Sequence, residues 1–310
     1  MKKLLYSHPS RLDISDGTAV ALGLFDGVHI GHRALISETV RIARERGLTP
    51  AVFTFAEGGS LKSGVSRIYD SDERLSIFAE LGVELTVIAD FDSVASLSPE
   101  DFVREVLIDR MHAQMALAGQ NFRFGYRASG DGEQLLSVMR ESGGDAIILD
   151  IETYDLGDGS REVSSTRIRS LLSDGDVAGA ALLLGSPYRL TSVVSRGMGI
   201  GHTYGYPTVN TELRADNPLR AGVYHTRVKI GEKLYTGLTN VGKCPTFGER
   251  EMHAETFILD FSEDIYGEEI EIFFVDFIRE ERRFSSAEEL ALEISDNIKT
   301  VRERECSREV

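Results

Sequence analysis

The apolar pattern of this chain changes character once, near residue 185, and that change limits what it can fold into. Up to residue 154, short apolar runs alternate with segments of helical period. Runs at 18–25, 51–55, 83–89, 115–118 and 146–154 read as buried strands. Helices are expected at 30–46, 71–81, 99–109 and 134–140. Strands that alternate with helices predict a parallel sheet with crossover helices, a doubly wound α/β domain. A further helical stretch, 166–184, is expected to break near Gly175. Gly185-Ser186-Pro187 then reads as a boundary, giving domains 1–185 and 186–310. Beyond it, runs at 188–195, 222–230, 233–238, 255–261 and 269–275 are short and several alternate in polarity, with a hairpin turn at Ile230-Gly231-Glu232-Lys233. They predict an antiparallel β-barrel closed by a C-terminal helix over 285–305, with Ser286 and Glu289 as a capping box.

Two domains also suit the length of 310 residues. Lys and Arg number 34 against 50 Asp and Glu, a formal charge of −16. Such an acidic chain argues against extended nucleic-acid binding and against an anionic membrane surface. Any phosphate ligand must therefore be held locally, by amides, helix ends and a cation. Two cysteines, Cys244 and Cys306, make neither a disulfide framework nor a zinc ribbon. No apolar run reaches the roughly 20 residues of a membrane helix. A cytoplasmic protein is the expectation.

Sheets of this kind bind ligands beyond the carboxyl ends of their strands. The first apolar run ends at Phe25, so the loop from Asp26 to His32 draws attention. His29-Ile30-Gly31-His32 opens a helix, where two imidazoles, free amides and the helix dipole can receive phosphate. Zinc is the alternative, but no third ligand lies nearby in sequence; two ordinary surface histidines is the other. Ser164-Ser165-Thr166-Arg167-Ile168-Arg169 also precedes a helix, and Arg169 carries a fork of donors that matches phosphate. Plain N-capping explains the hydroxyls equally well.

Together these segments resemble the bifunctional riboflavin kinase/FMN adenylyltransferase family, the prokaryotic FAD synthetases. The resemblance rests on Gly23-Leu24-Phe25-Asp26-Gly27-Val28-His29-Ile30-Gly31-His32, on Gly119-Gln120-Asn121-Phe122-Arg123-Phe124-Gly125 and on the SSTRIR segment. In the second half, Arg196-Gly197-Met198-Gly199-Ile200-Gly201 and Pro207-Thr208-Val209-Asn210 are similar to the kinase module's phosphate loop and its Pro-Thr-x-Asn signature. By that resemblance Gly23, Phe25, Ser164, Ser165, Thr166, Gly197, Gly199 and Gly201 bind ATP, and Asn121 and Phe124 bind flavin. It makes His29, His32 and Arg169 the charge-stabilising groups of adenylyl transfer and Glu255 the base of the kinase. Thr208 and Asn210 fall on one face of an extended segment, so both oxygens can reach one Mg²⁺. The implied substrates and products are riboflavin, FMN, FAD and ATP.

One stretch departs from the family. After Thr54-Phe55, where the family runs Glu-Pro-His-Pro, this chain has Ala56-Glu57-Gly58-Gly59-Ser60. The expectation is weakened or altered adenylyl transfer. That opens an alternative, a riboflavin kinase with a slow or silent N-terminal domain. A different class of alternative is a flavin- or nucleotide-binding protein without turnover.

Overall fold

In the computed structural model, the described residues are 1–7, 12–56, 65–150, 163–195, 206, 208–243 and 252–308. The chain divides into two compact units, Met1–Val65 with Tyr69–Ser165, and Ser66–Ile68 with Thr166–Val310.

The first unit is built on six strands: β1 (Lys2–Tyr6), β2 (Thr18–Leu22), β3 (Thr49–Phe55), β4 (Leu85–Ala89), β5 (Ala113–Gly119) and β6 (Asp145–Leu149). Their order is β1-β4-β3-β2-β5-β6, and every neighbouring pair is parallel. The central strands are buried on both faces, as unbroken apolar runs require. Val20, Leu22, Phe53, Val87 and Ala118 pack in one core with Phe102, Val106, Leu135 and Met139. Those partners come from α4 (Pro99–Asp101, continued as a π-helix over Phe102–Arg110) and α5 (Gly132–Glu141). Helix α1 (Ile30–Arg46) lies against β2, β3 and β5 outside that core, so the sheet carries helices on both faces. Helix α2 (Ser71–Glu80) and two single turns, α3 (Phe91–Val94) and a 3-10 turn at Tyr126–Ala128, also belong to this unit. Strand order reverses beside β2, whose neighbours are β3 and β5, so the crevice between the ends of β2 and β5 is the topological switch point.

Among the described residues, every strand pairing of the second unit is antiparallel. Its strands are β7 (Tyr188–Val193), β8 (Thr208–Leu213), β9 (Gly222–Ile230), β10 (Lys233–Lys243), β11 (Met252–Ile258) and β12 (Glu269–Arg279), in the order β7-β12-β9-β10-β11-β8. The outermost strands meet where Ser195 N–H donates to the Asn210 carbonyl at 2.9 Å, so the sheet curls towards a barrel. Inside, hydroxyls of Thr226, Thr239 and Thr256 link three strands at 2.8 and 2.9 Å. On the other face α8 (Ala287–Arg308) packs Ile294, Ile298 and Val301 against Val223, Leu238 and Phe257. Ser286 Oγ caps α8 by accepting from Glu289 N–H at 3.2 Å, while the Glu289 carboxylate reaches back to Ser285 N–H at 2.8 Å rather than to Ser286.

As expected, the stretch 166–184 breaks at Gly175, which takes φ +85° between α6 (Ser165–Asp174) and α7 (Val177–Leu184). Helix α7 packs on β7 and β12, so the second unit begins well before Gly185. In the sequence β1 does not stand out, and β8 does so only as the extended segment of Thr208 and Asn210. The first is a largely exposed edge strand, and the second has a polar, half-buried pattern.

Candidate functional sites

The loop after β2 is folded back on itself. Phe25 (φ +52°) and Val28 (φ +39°) are both left-handed, although each bears a side chain. Such residues cost energy and persist only where neighbours hold them. The Phe25 ring is fully buried and lies over Gly23, where a Cβ would stand 2.9 Å from its Cζ. It also meets Phe78 and the edge of His32, with ring centroids 5.8 and 5.1 Å away. Phe25 thus shapes the loop from inside the core.

His29 and His32 come together as the sequence predicts. Their rings stack with centroids 3.6 Å apart and 17° between planes. His29 is the N-cap of α1, its Nδ1 accepting from His32 N–H at 3.3 Å. An accepting Nδ1 leaves the ring proton on Nε2. His32 Nδ1 is buried with no hydrogen-bond partner among the described residues, which favours the same tautomer. Burial lowers the pKa of His29 to about 4. Burial, and then the charge of His29, hold His32 well below its usual value. The pair is therefore neutral at pH 7, each ring offering one Nε2–H donor. No acidic residue stands in the first turn of α1, so its positive end is free for an anion. No third His, Cys, Asp or Glu joins the pair into a metal-holding group among the described residues.

Beside this loop, at the switch point, lies a cavity of about 450 Å³. Its walls are Gly23, Phe53, Phe55, Phe91, Phe102, Phe122, Phe124 and Tyr126, with Arg123 and Arg127 on the lining. Phe122 and Phe124 stack with centroids 5.5 Å apart. Phe124 was expected here. Asn121, expected with it, is exposed and does not line the cavity. Four of the wall aromatics come from β3, α3 and the π-helix, and sequence spacing singles out none of them as a site residue. Of the SSTRIR segment, Ser164 and Ser165 belong to the first unit, and Thr166 and Arg169 to the second. Arg169 Nε donates to the Ser66 carbonyl at 2.7 Å.

In the second unit a cavity of about 240 Å³ opens between the outer face of the sheet and α8. Tyr206, Thr208, Leu238, Asn240, Glu255, Phe257, Arg279, Glu281, Phe284, Leu290, Ile294 and Asn297 are among its lining residues. The strand register explains the grouping. Glu255 lies directly opposite Asn210 on β8 and Asn240 on β10, and Phe257 opposite Thr208. Residues two apart share a face, so Thr208, Asn210, Asn240 and Glu255 share this one. Burial raises the pKa of Glu255, with Glu281 adding to the rise and His253 opposing it. A second cavity of about 350 Å³, lined by Val194, Val209, Ile258, Phe261, Ile265 and Tyr266, also touches Thr208. Gly197, Gly199, Gly201, Pro207, Cys244 and residues 57–60 lie outside the described residues.

Residues 12–167 match the FAD synthetase family and residues 184–304 the riboflavin kinase family. The bifunctional riboflavin kinase/FMN adenylyltransferase of Bacillus subtilis is 32% identical over 306 residues, 95% of each chain. That of Escherichia coli K12 is 33% identical over 294 residues, 93% of each chain. A Streptococcus pneumoniae crystal structure described as a macrolide-efflux protein superposes with a TM-score of 0.84 at 31% identity, covering 97% of this chain and 98% of that one. Among the described residues here, no helix is long and apolar enough to cross a membrane. With two family matches in tandem and full-length relatives above 30% identity, the chain belongs to the bifunctional riboflavin kinase/FMN adenylyltransferase family.

Proposed function

We propose that Glu255 and the His29–His32 pair carry the two reactions of this chain, which phosphorylates riboflavin to FMN and adenylylates FMN to FAD with release of pyrophosphate. The observation behind the assignment is that each unit has its own cavity with its own chemistry. One holds a carboxylate of raised proton affinity. The other joins an aromatic slot to paired imidazoles at a helix N-terminus. The work divides at 185/186, kinase after and adenylyl transfer before.

In the kinase cavity the isoalloxazine packs under Leu290, Ile294 and Phe284, and the ribityl 5′-hydroxyl points to Glu255. Glu255 takes that proton as the oxygen attacks the γ-phosphorus of ATP, and ADP leaves. A carboxylate whose burial raises its pKa is a stronger base than an exposed one. The cavity at Tyr266 takes the adenine, and Thr208, common to both cavities, sits where the phosphates pass between them. These ATP-dependent families generally use a divalent metal, and we take it to be Mg²⁺. Thr208 and Asn210 fit it, and would hold it as oxygen ligands on one face. When bound, the ion would neutralise phosphate charge.

In the first unit the flavin ring enters the aromatic slot and a phosphate oxygen of FMN attacks the α-phosphorus of a second ATP, with pyrophosphate leaving. This step needs no protein nucleophile. Two neutral Nε2–H donors and the α1 amides meet charge developing on the triphosphate. Gly23 and the backbone of Phe25 line its path, with Ser164 and Ser165 as further ATP contacts and Phe124 on the flavin side. The chemistry runs in the cytoplasm, where ATP and riboflavin meet.

Incubating the protein with riboflavin, ATP and Mg²⁺, and separating flavins over time, should give FMN first and FAD afterwards. FMN that accumulates, with no FAD even from supplied FMN, would overturn the two-site assignment and favour the kinase-only alternative.

A further inference from the structure

One buried cation in the first unit is not used by the chemistry above. Arg74, in the first turn of α2, is 6% exposed. Its Nη1 donates to the Leu24 carbonyl at 2.9 Å, and its Nη2 to the Phe55 carbonyl at 3.3 Å and to Ser71 Oγ at 3.3 Å. Thr54 Oγ1 donates to the same Leu24 carbonyl at 2.9 Å. Leu24 therefore has its carbonyl held twice, immediately before the left-handed Phe25.

The two carbonyls belong to different halves of the site. Leu24 begins the bent loop that ends at His29 and His32. Phe55 ends β3 and its ring lines the aromatic cavity. A planar guanidinium can hold two acceptors at a fixed separation, which an ammonium cannot. The helix that carries it is itself anchored. Asp70 accepts from Glu73 N–H at 2.8 Å, and the Glu73 carboxylate accepts from Asp70 N–H at 2.9 Å.

We infer that Arg74 is a positioning residue for adenylyl transfer: by joining the Leu24 and Phe55 carbonyls, it fixes the distance between the triphosphate loop and the flavin slot. It touches neither substrate. Its loss loosens the alignment of the attacking phosphate with the α-phosphorus, while the slot and the paired imidazoles each persist. Alignment lost without binding lost appears in kcat, not in KM. The inference rests on the assignment of His29 and His32 to the triphosphate.

The experiment compares Arg74→Ala, Arg74→Lys, Thr54→Val and His29→Asn for FAD formation from FMN and ATP, with FMN formation from riboflavin measured on the same samples. Arg74→Ala should lower kcat for FAD formation at least tenfold, leave KM for FMN and for ATP within about threefold, and leave FMN formation within twofold. Arg74→Lys, which keeps the charge and reaches one carbonyl, should recover only part of the rate. Thr54→Val should cost less than either, because Arg74 still holds Leu24. If the alanine variant does not fold, the lysine variant decides by the same kcat-against-KM split. Unchanged kcat, a loss confined to KM, or FMN formation falling in step would each overturn the inference. A normal rate in His29→Asn would remove the assignment on which it rests. An impaired His29→Asn beside a normal Arg74→Lys would sink the positioning role alone.

Discussion

The two sites solve the problem of moving phosphorus in opposite ways. The first is built on a loop. Its paired imidazoles are neutral, its backbone is held in costly conformations, and its flavin slot gathers aromatics from several elements. The second is built on a sheet. Strand register alone places Glu255, Asn210, Asn240 and Thr208 on one face, and a helix supplies the roof. Kinase chemistry must remove a proton from a hydroxyl, so it needs a base. Adenylyl transfer to a phosphate that is already ionised does not. The sheet site should thus fail all at once when one group is lost, and the loop site by degrees.

The sharpest break of this comparison is Glu255→Gln. FMN formation should fall by about 10²–10⁴, the usual worth of a positioned general base, while FAD formation from supplied FMN stays within twofold. Loss of both activities together, in a folded protein, would mean that the sites are not independent. Before that threshold the pH profile is informative. Because burial raises the pKa of Glu255, the acid limb of FMN formation should lie above the ordinary carboxylate range.

His29 tests the loop site. His29→Ala removes a phosphate donor and the cap of α1 together, and should cost FAD formation on the order of a hundredfold and stability about 1 kcal/mol. His29→Asn restores the cap. It should recover the melting temperature but not the rate, and recovery of both would reduce His29 to a cap.

Which of these features the sequence revealed follows from how each is built. Contiguous features were legible. The stretch from Gly23 to His32 sits on one turn, and the break at Gly175 is local. Thr208 and Asn210 share a face by simple alternation. Glu255 came only through the family resemblance, since a lone Glu in a strand carries no signal of its own. Features made by convergence were not legible. Phe53, Phe55, Phe91 and Phe102 line the flavin slot from separate elements, and each alone reads as core. Arg74 looks like an ordinary charge in a helical first turn until its carbonyl partners are seen. Phe25 fell within the recognised motif, yet its ring serves the core.

The neutral histidine pair also predicts how stability responds to acid. An unfolded histidine has a pKa near 6.5, and that of folded His29 is lowered to about 4. Between these values the unfolded chain binds the extra proton, so folding is favoured above pH 6.5 and the advantage drains away as pH falls towards 4. A shift of that size corresponds to at most about 3 kcal/mol at 1.36 kcal/mol per unit. Denaturant titrations from pH 7 to 4 should show the first unit weakening over this window, and His29→Asn should flatten the slope. An equal slope in wild type and variant would mean that the pair is not held neutral.

The smallest effect probes the roof of the sheet site. Ser286→Ala removes the hydroxyl that caps α8, a loss of about 1 kcal/mol. Leu290, Ile294 and Asn297 of that helix line the kinase cavity. Fraying at its first turn should therefore raise KM for riboflavin by roughly fivefold, the equivalent of about 1 kcal/mol, with kcat little changed because Glu255 stands on the sheet. FAD formation from FMN should not respond at all. A fall in kcat instead would show that the helix holds the base as well as the flavin, and the sheet site would then depend on its cover as the loop site depends on its clamps.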